Sequence, residues 1–139
     1  MFEAILEGRL AQGRTGENPP VGVIIVKDGE IVGRGHTSMQ GGSHAEINAL
    51  RQAGKKAEGA TLYSTLEPCA HDGLTPPCCE AVSKAGIKRV VIGIKDPNEK
   101  VNGEGINHLI QHEVVVEAGL FENKIQEDLN NYLKRITES

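Results

Sequence analysis

His44, Glu46, Cys69 and Cys78 are the residues whose types and spacing could do chemistry together. One imidazole and two thiols form a three-donor set suited to zinc. A closed structural zinc site takes four protein donors, whereas three leave a tetrahedral corner for water, whose pKa on the metal falls to about 7. Glu46 stands two residues from His44, placed to take a proton from such a water and pass it to a leaving group, which is general acid/base work. The pattern predicts hydrolytic chemistry with His44, Cys69 and Cys78 as zinc ligands and Glu46 as proton carrier. Cys78 follows Pro76-Pro77 at the start of an expected helix, where unpaired backbone N–H groups and the macrodipole favour a thiolate. The adjoining Cys79 reads as a small buried hydrophobe. A non-enzymatic alternative stays open: a structural zinc module whose metal holds the cysteine loop in place.

The rest of the composition narrows the partners. The chain has 139 residues, with 15 Lys+Arg against 19 Asp+Glu and a net charge of −4. That length suggests one domain over residues 1–139, without room for a second catalytic domain. A chain of this size hides roughly 70% of its unfolded surface, enough for a core without disulfides. Aromatic residues are few (Phe2, Tyr63, Phe121, Tyr132) and no basic block offsets the acidic balance, which excludes polymeric nucleic acid as the expected partner, an edited tRNA included. No apolar run approaches the roughly 18 residues of a membrane span, and the amino terminus lacks a signal-peptide pattern. The expected location is cytoplasmic. Three cysteines inside eleven residues fit metal or thiol chemistry better than a secreted disulfide framework.

Positioning falls to an alternation of helices and strands. Phe2, Ile5, Leu6 and Leu10 recur at helical spacing and predict a helix over 2–12; Asp28-Gly29 predicts the turn of an antiparallel hairpin over 21–35. Then follow a helix from Ser43 to Ala53, a strand from Thr61 to Leu66, a helix from Cys78 to Ala85 and a strand from Arg89 to Ile94. A helix from Gly105 to Gln111, a strand from Val114 to Val116 and a terminal helix from Phe121 to Ile136 complete the order. It predicts an α/β fold with a mixed five-stranded sheet, its later strands parallel, and helices on both faces. His108 and His112, four apart on one helix, read as a solvated pair; Lys84, Lys88 and Arg89 read as a solvated helix end. Gly33, Gly41 and Gly42 lack a phosphate-loop pattern.

The runs His44-Ala45-Glu46, Thr65-Leu66-Glu67-Pro68-Cys69-Ala70-His71 and Thr75-Pro76-Pro77-Cys78 resemble the cytidine deaminase superfamily, most of all the deaminase domain of the riboflavin-biosynthesis deaminase/reductase. An H-x-E followed by a P-C and a second cysteine is the zinc-deaminase signature, with the Glu not a ligand; here the cysteines are nine apart instead of three, leaving room for a substrate loop. Asn18-Pro19-Pro20-Val21-Gly22 and Asp96-Pro97-Asn98 through Leu109 extend the likeness over nearly the whole chain. The resemblance implies a three-layer α/β/α domain with Zn2+, hydrolytic removal of an exocyclic amine from an aminopyrimidine, substrate contacts by Asn18 and His71, and a homo-oligomer, here expected to be a dimer. The family's usual His seven places before the zinc His is Thr37 here, with His36 one place early, and its usual Lys or Arg in the cysteine loop is Leu74. His36 and Leu74 are accordingly expected near the substrate, and Leu74 favours a non-phosphorylated one, because a phosphate without Lys or Arg loses its strongest charge-assisted bonds; the alternative is a Leu74 that only packs, with a phosphate held by backbone amides or by a Lys from elsewhere. Gly33-Arg34-Gly35-His36 and Thr61-Leu62-Tyr63-Ser64-Thr65 resemble fungal-type cytosine deaminase, so a free-base or nucleoside substrate is the alternative.

Overall fold

The computed structural model describes residues 1–11, 20–37, 44–67, 78–94, 104–120, 124, 125 and 127. The elements are α1 (Phe2–Arg9), β1 (Gly22–Lys27), β2 (Glu30–His36), α2 (Ala45–Ala53), β3 (Thr61–Leu66), α3 (Cys78–Lys84), β4 (Arg89–Ile94), α4 (Glu104–Gln111) and β5 (Val115–Ala118). The sheet order is β2-β1-β3-β4-β5. β1 runs antiparallel to β2 and β3, while β3, β4 and β5 are parallel, as crossover helices between them require. The mixed five-stranded sheet expected from the sequence is therefore present. Of the expected terminal helix, Lys124, Ile125 and Glu127 are helical, and the remainder lies outside the described residues.

Local chemistry sets the boundaries. Asp28 and Gly29 both take positive φ, 52° and 79°, which matches the twist of a two-residue hairpin turn. α1 stops at Arg9 instead of reaching residue 12, its end tightened by bonds from Leu10 N to Glu7 O and from Ala11 N to Gly8 O. α2 gives way at Gly54, φ 57°, to one turn of 3-10 helix, Gly54–Ala57, that the sequence pattern does not announce. β5 starts one residue later than expected. Glu113 reverses the chain at φ 65°, Val114 N bonds Leu109 O, and Val114 is spent filling the core.

Register explains the core. Val23 pairs with Ser64, Ile25 with Leu62, Leu62 with Val90, Ser64 with Ile92 and Leu66 with Ile94, so these side chains share one face of the sheet and all are buried. α2 covers that face, touches α3, and α3 touches α4. α1 lies on the other face, against Gly22: a Cβ there would stand 1.9 Å from Ala4 O and 2.3 Å from Gly8 N. Helices thus cover both faces. Among the described residues no helix is long and apolar enough to cross a membrane.

α2 lies as close on its own side. A Cβ on Gly35 would meet Ala45 O at 2.3 Å and Ala49 N at 2.5 Å, both helix backbone that cannot swing aside. Gly35→Ala should therefore lower stability by about 1–3 kcal/mol through overpacking, read as a lower urea midpoint. An unchanged midpoint would mean that α2 lifts from the sheet without cost.

Candidate functional site

The site is built where α2 begins. Ala45, Ala49 and Ala53 form the small-residue stripe that meets Gly33 and Gly35 of β2. On the free edge of β2, Asn48 Nδ2 donates to His36 O at 2.9 Å and Arg34 N donates to Gln52 Oε1 at 2.6 Å. Residues 48 and 52, one turn apart, thereby cover an edge that would otherwise expose unpaired backbone. Face and edge contacts together fix the helix, and with it His44 and Glu46.

His44 is the N-cap of α2, in extended conformation; its carbonyl accepts Asn48 N at 3.1 Å, and its imidazole does not cap the helix. Glu46 lies in the first turn and is 5% exposed, a carboxylate inside the helix–sheet layer at the end of the helix where negative charge is favoured. Cys78 is the first residue of α3, which packs beside α2, and Cys79 is buried in the core as expected. The structure thus brings the His44, Glu46 and Cys78 positions to the ends of two neighbouring helices. Cys69, His71, Leu74 and Asn18 lie outside the described residues.

Backbone approaches to this region are held by side chains. Val21 N donates to Thr37 Oγ1 at 2.9 Å while Thr37 N donates to Val21 O at 3.1 Å, and Gly22 N donates to Thr65 Oγ1 at 3.1 Å. These bonds tie the end of β2 and the end of β3 to the start of β1. Glu67, just past β3, accepts Gly105 N at 3.1 Å and Ile106 N at 3.3 Å on one carboxylate oxygen.

His36 ends β2. Its Nδ1 lies 2.6 Å from Glu7 Oε2 on α1, and it pairs with Gly22, whose face is the α1 face. Strand alternation therefore turns its ring away from the α2 layer that carries Glu46. His108 and His112 stack at 4.2 Å. Among the described residues no three His, Cys, Asp or Glu side chains converge to hold a metal, so that pair gains no third donor there. Lys84 and Arg89 pair with Glu80 and Glu117, each at 2.7 Å, in keeping with a solvated surface.

The model of the cytidine and deoxycytidylate deaminase zinc-binding region matches residues 1–94. The chain belongs to that family. The span includes every residue of the expected site, from Asn18 to Cys78. Riboflavin biosynthesis protein RibD of Escherichia coli (strain K12) is 51% identical over 131 residues, covering 92% of this chain and 36% of that protein. A diaminohydroxyphosphoribosylamino-pyrimidine deaminase of Buchnera aphidicola (subsp. Acyrthosiphon pisum) is 48% identical over 136 residues, covering 98% of this chain and 92% of that protein. The structure of Acinetobacter baumannii RibD superposes with a TM-score of 0.94 at 44% identity, covering 98% of this chain and 38% of that one. The chain thus spans little more than a third of the RibD proteins and nearly all of the Buchnera deaminase.

For a member of the deaminase family, several supporting residues are not announced by residue type alone. Asn48 and Gln52 carry a signal, two amides four apart on a helix that follows an edge strand; Thr65 and Glu67 carry a weaker one, polar residues at the end of an apolar run just before Pro68-Cys69. Thr37 shows what such residues do. Thr37→Val keeps the shape and removes the acceptor for buried Val21 N, so stability should fall by about 1–3 kcal/mol. Urea denaturation checks it, and an unchanged midpoint would deny the bond its role.

Proposed function

We propose that the chain is a zinc-dependent deaminase that hydrolyses the exocyclic amine of an aminopyrimidine, its substrate the diaminohydroxyphosphoribosylamino-pyrimidine named for its Buchnera relative. The observation that carries the reading is the buried Glu46 carboxylate in the first turn of α2, two places after the N-cap residue His44. A carboxylate at that spacing from a zinc-type imidazole is placed for proton transfer.

The donor chemistry fits zinc. One imidazole at the head of α2 and a thiol at the head of α3, joined by the Cys69 thiol, make a His-Cys-Cys set of the catalytic three-ligand kind. His44, Cys69 and Cys78 would hold the zinc, which would lower the pKa of a water beside the substrate. Glu46 takes a proton from the water that adds to the amine-bearing ring carbon and delivers it to the nitrogen. The C–N bond breaks, a C–O bond has formed, and ammonia leaves. Asn18 and His71 orient the ring by the resemblance, and Leu74 lines the wall beside it. The chain acts as one domain on a small molecule, in the cytoplasm, as a dimer.

Leu74, standing where the family carries Lys or Arg, favours a second reading in which the substrate bears no phosphate. Ammonia release from the phosphorylated riboflavin precursor, its dephosphorylated form, cytosine and cytidine, with zinc content measured in parallel, tests both. Turnover of the phosphorylated compound supports the first reading, and turnover of the others alone supports the second. No ammonia from any of them in zinc-loaded protein would leave a structural zinc module. Glu46→Ala should keep zinc and lose roughly 10²- to 10⁴-fold in kcat, whereas Cys69→Ala should lose the metal itself. Full activity in the first variant, or full zinc in the second, would overturn the assigned role.

A further inference from the structure

We propose that Glu67 is a positioning residue that holds the end of β3, from which the chain continues to Cys69, and the α3–α4 layer that begins at Cys78 at a fixed separation. The inference rests on the ligand set proposed above.

Glu67 is 4% exposed, and a carboxylate so deep is costly unless its hydrogen bonds are met. They are met by two of the leftover donors at the amino end of α4: Gly105 N and Ile106 N both point at its Oε2. Its own N–H donates to Ile94 O at 3.0 Å. One residue therefore ties together the end of β3, the end of β4 and the start of α4. Pro68 alone separates it from Cys69. On the other side, α4 sends Leu109 into the core and packs on α3, with Ser83 Oγ and His108 Nε2 in contact at 3.4 Å. α3 starts at Cys78. One line of contacts from the end of β3 to α3, which begins at Cys78, thus runs through the Glu67 carboxylate and α4.

A leucine at position 67 would keep the backbone bond to Ile94 O and lose both bonds to α4. The carboxylate matters because it fixes direction as well as contact: α4 is held by its first turn, so it cannot slide along α3 without breaking two bonds to one oxygen. Groups that orient metal ligands from behind typically change metal affinity by about 10- to 100-fold when removed. That effect separates positioning from plain scaffolding.

The test uses the zinc-loaded full chain and three variants. Glu67→Ala removes the acceptor; Glu67→Gln keeps an oxygen that can accept both bonds; Ala57→Gly loosens the buried 3-10 turn at the opposite end of α2 from His44 and controls for stability. Zinc affinity is measured by competition with a chromophoric chelator, at urea concentrations that equalise the folded fractions. Glu67→Ala should bind zinc about tenfold or more weakly than the Ala57→Gly control, with a lower kcat and little change in KM. Glu67→Gln should return zinc affinity close to native. Amide exchange at Gly105 and Ile106 should be fast in the alanine variant and slow in the glutamine variant. Should Glu67→Ala not fold, Glu67→Asp, one methylene short of α4, makes the same comparison. Zinc affinity in Glu67→Ala equal to that of Ala57→Gly would overturn the positioning role while leaving the zinc site intact. A native chain that binds no zinc would overturn the ligand set itself, and this inference with it.

Discussion

Backbone-to-backbone contact between α2 and β2 is the constraint on which the site depends. Gly33 and Gly35 present no side chain to Ala45, Ala49 and Ala53, so helix and strand approach more closely than any larger pair would allow. The distance between the head of α2 and the sheet is thereby set by main-chain atoms, which do not change rotamer. Asn48 and Gln52 then fix rotation about the helix axis by bonding the β2 edge. A carboxylate that must reach one atom of a small substrate gains from such rigidity, because misplacement by about an ångström can cost about a hundredfold in rate.

The parallel half of the sheet supplies the second requirement. Parallel strands need crossovers, and each crossover brings a helix back with its amino end beside the carboxyl end of the strand just left. α3 and α4 therefore both start at the edge where β3 and β4 finish. Helix amino ends favour negative charge, and the sequence places there a thiol at Cys78 and, reaching in from β3, the Glu67 carboxylate. The proposed sulfur donor at Cys78 and the Glu67 contact to α4 thus draw on the same feature of the topology.

Much of this is legible in the order of the amino acids. Short, largely buried runs mark the strands from Thr61 to Leu66 and from Arg89 to Ile94, and these limits hold to the residue because polar or turn-forming positions flank both. The turn at Asp28-Gly29 is legible for the same reason. What stays hidden is set by non-local contacts. The 3-10 turn after Gly54 and the inward Val114 depend on how much chain is needed to reach the next strand, which no local pattern records. At the candidate site, His44, Glu46 and Cys78 stand out in the sequence because few residue types do the chemistry proposed for them. Asn48, Thr65 and Glu67 are not, because their partners are backbone groups 12 to 43 residues away.

Register also decides how this chain differs from the pattern it resembles. The resemblance expects an imidazole at position 37, and His36 stands beside that position in the sequence. In an extended strand one place is the other face. His36 is paired with Gly22 and bonded to Glu7, so bringing its ring to the α2 layer would require β2 to slip by a residue, sending Gly33 and Gly35 away from α2 and larger neighbours into the contact. The cost of that slip is the whole α2 interface, so His36 stays on the α1 face of the sheet. Thr37 meanwhile has its hydroxyl engaged with Val21 N, where it steadies the chain three residues beyond Asn18. Position 37 in this protein thus serves the backbone that leads into β1.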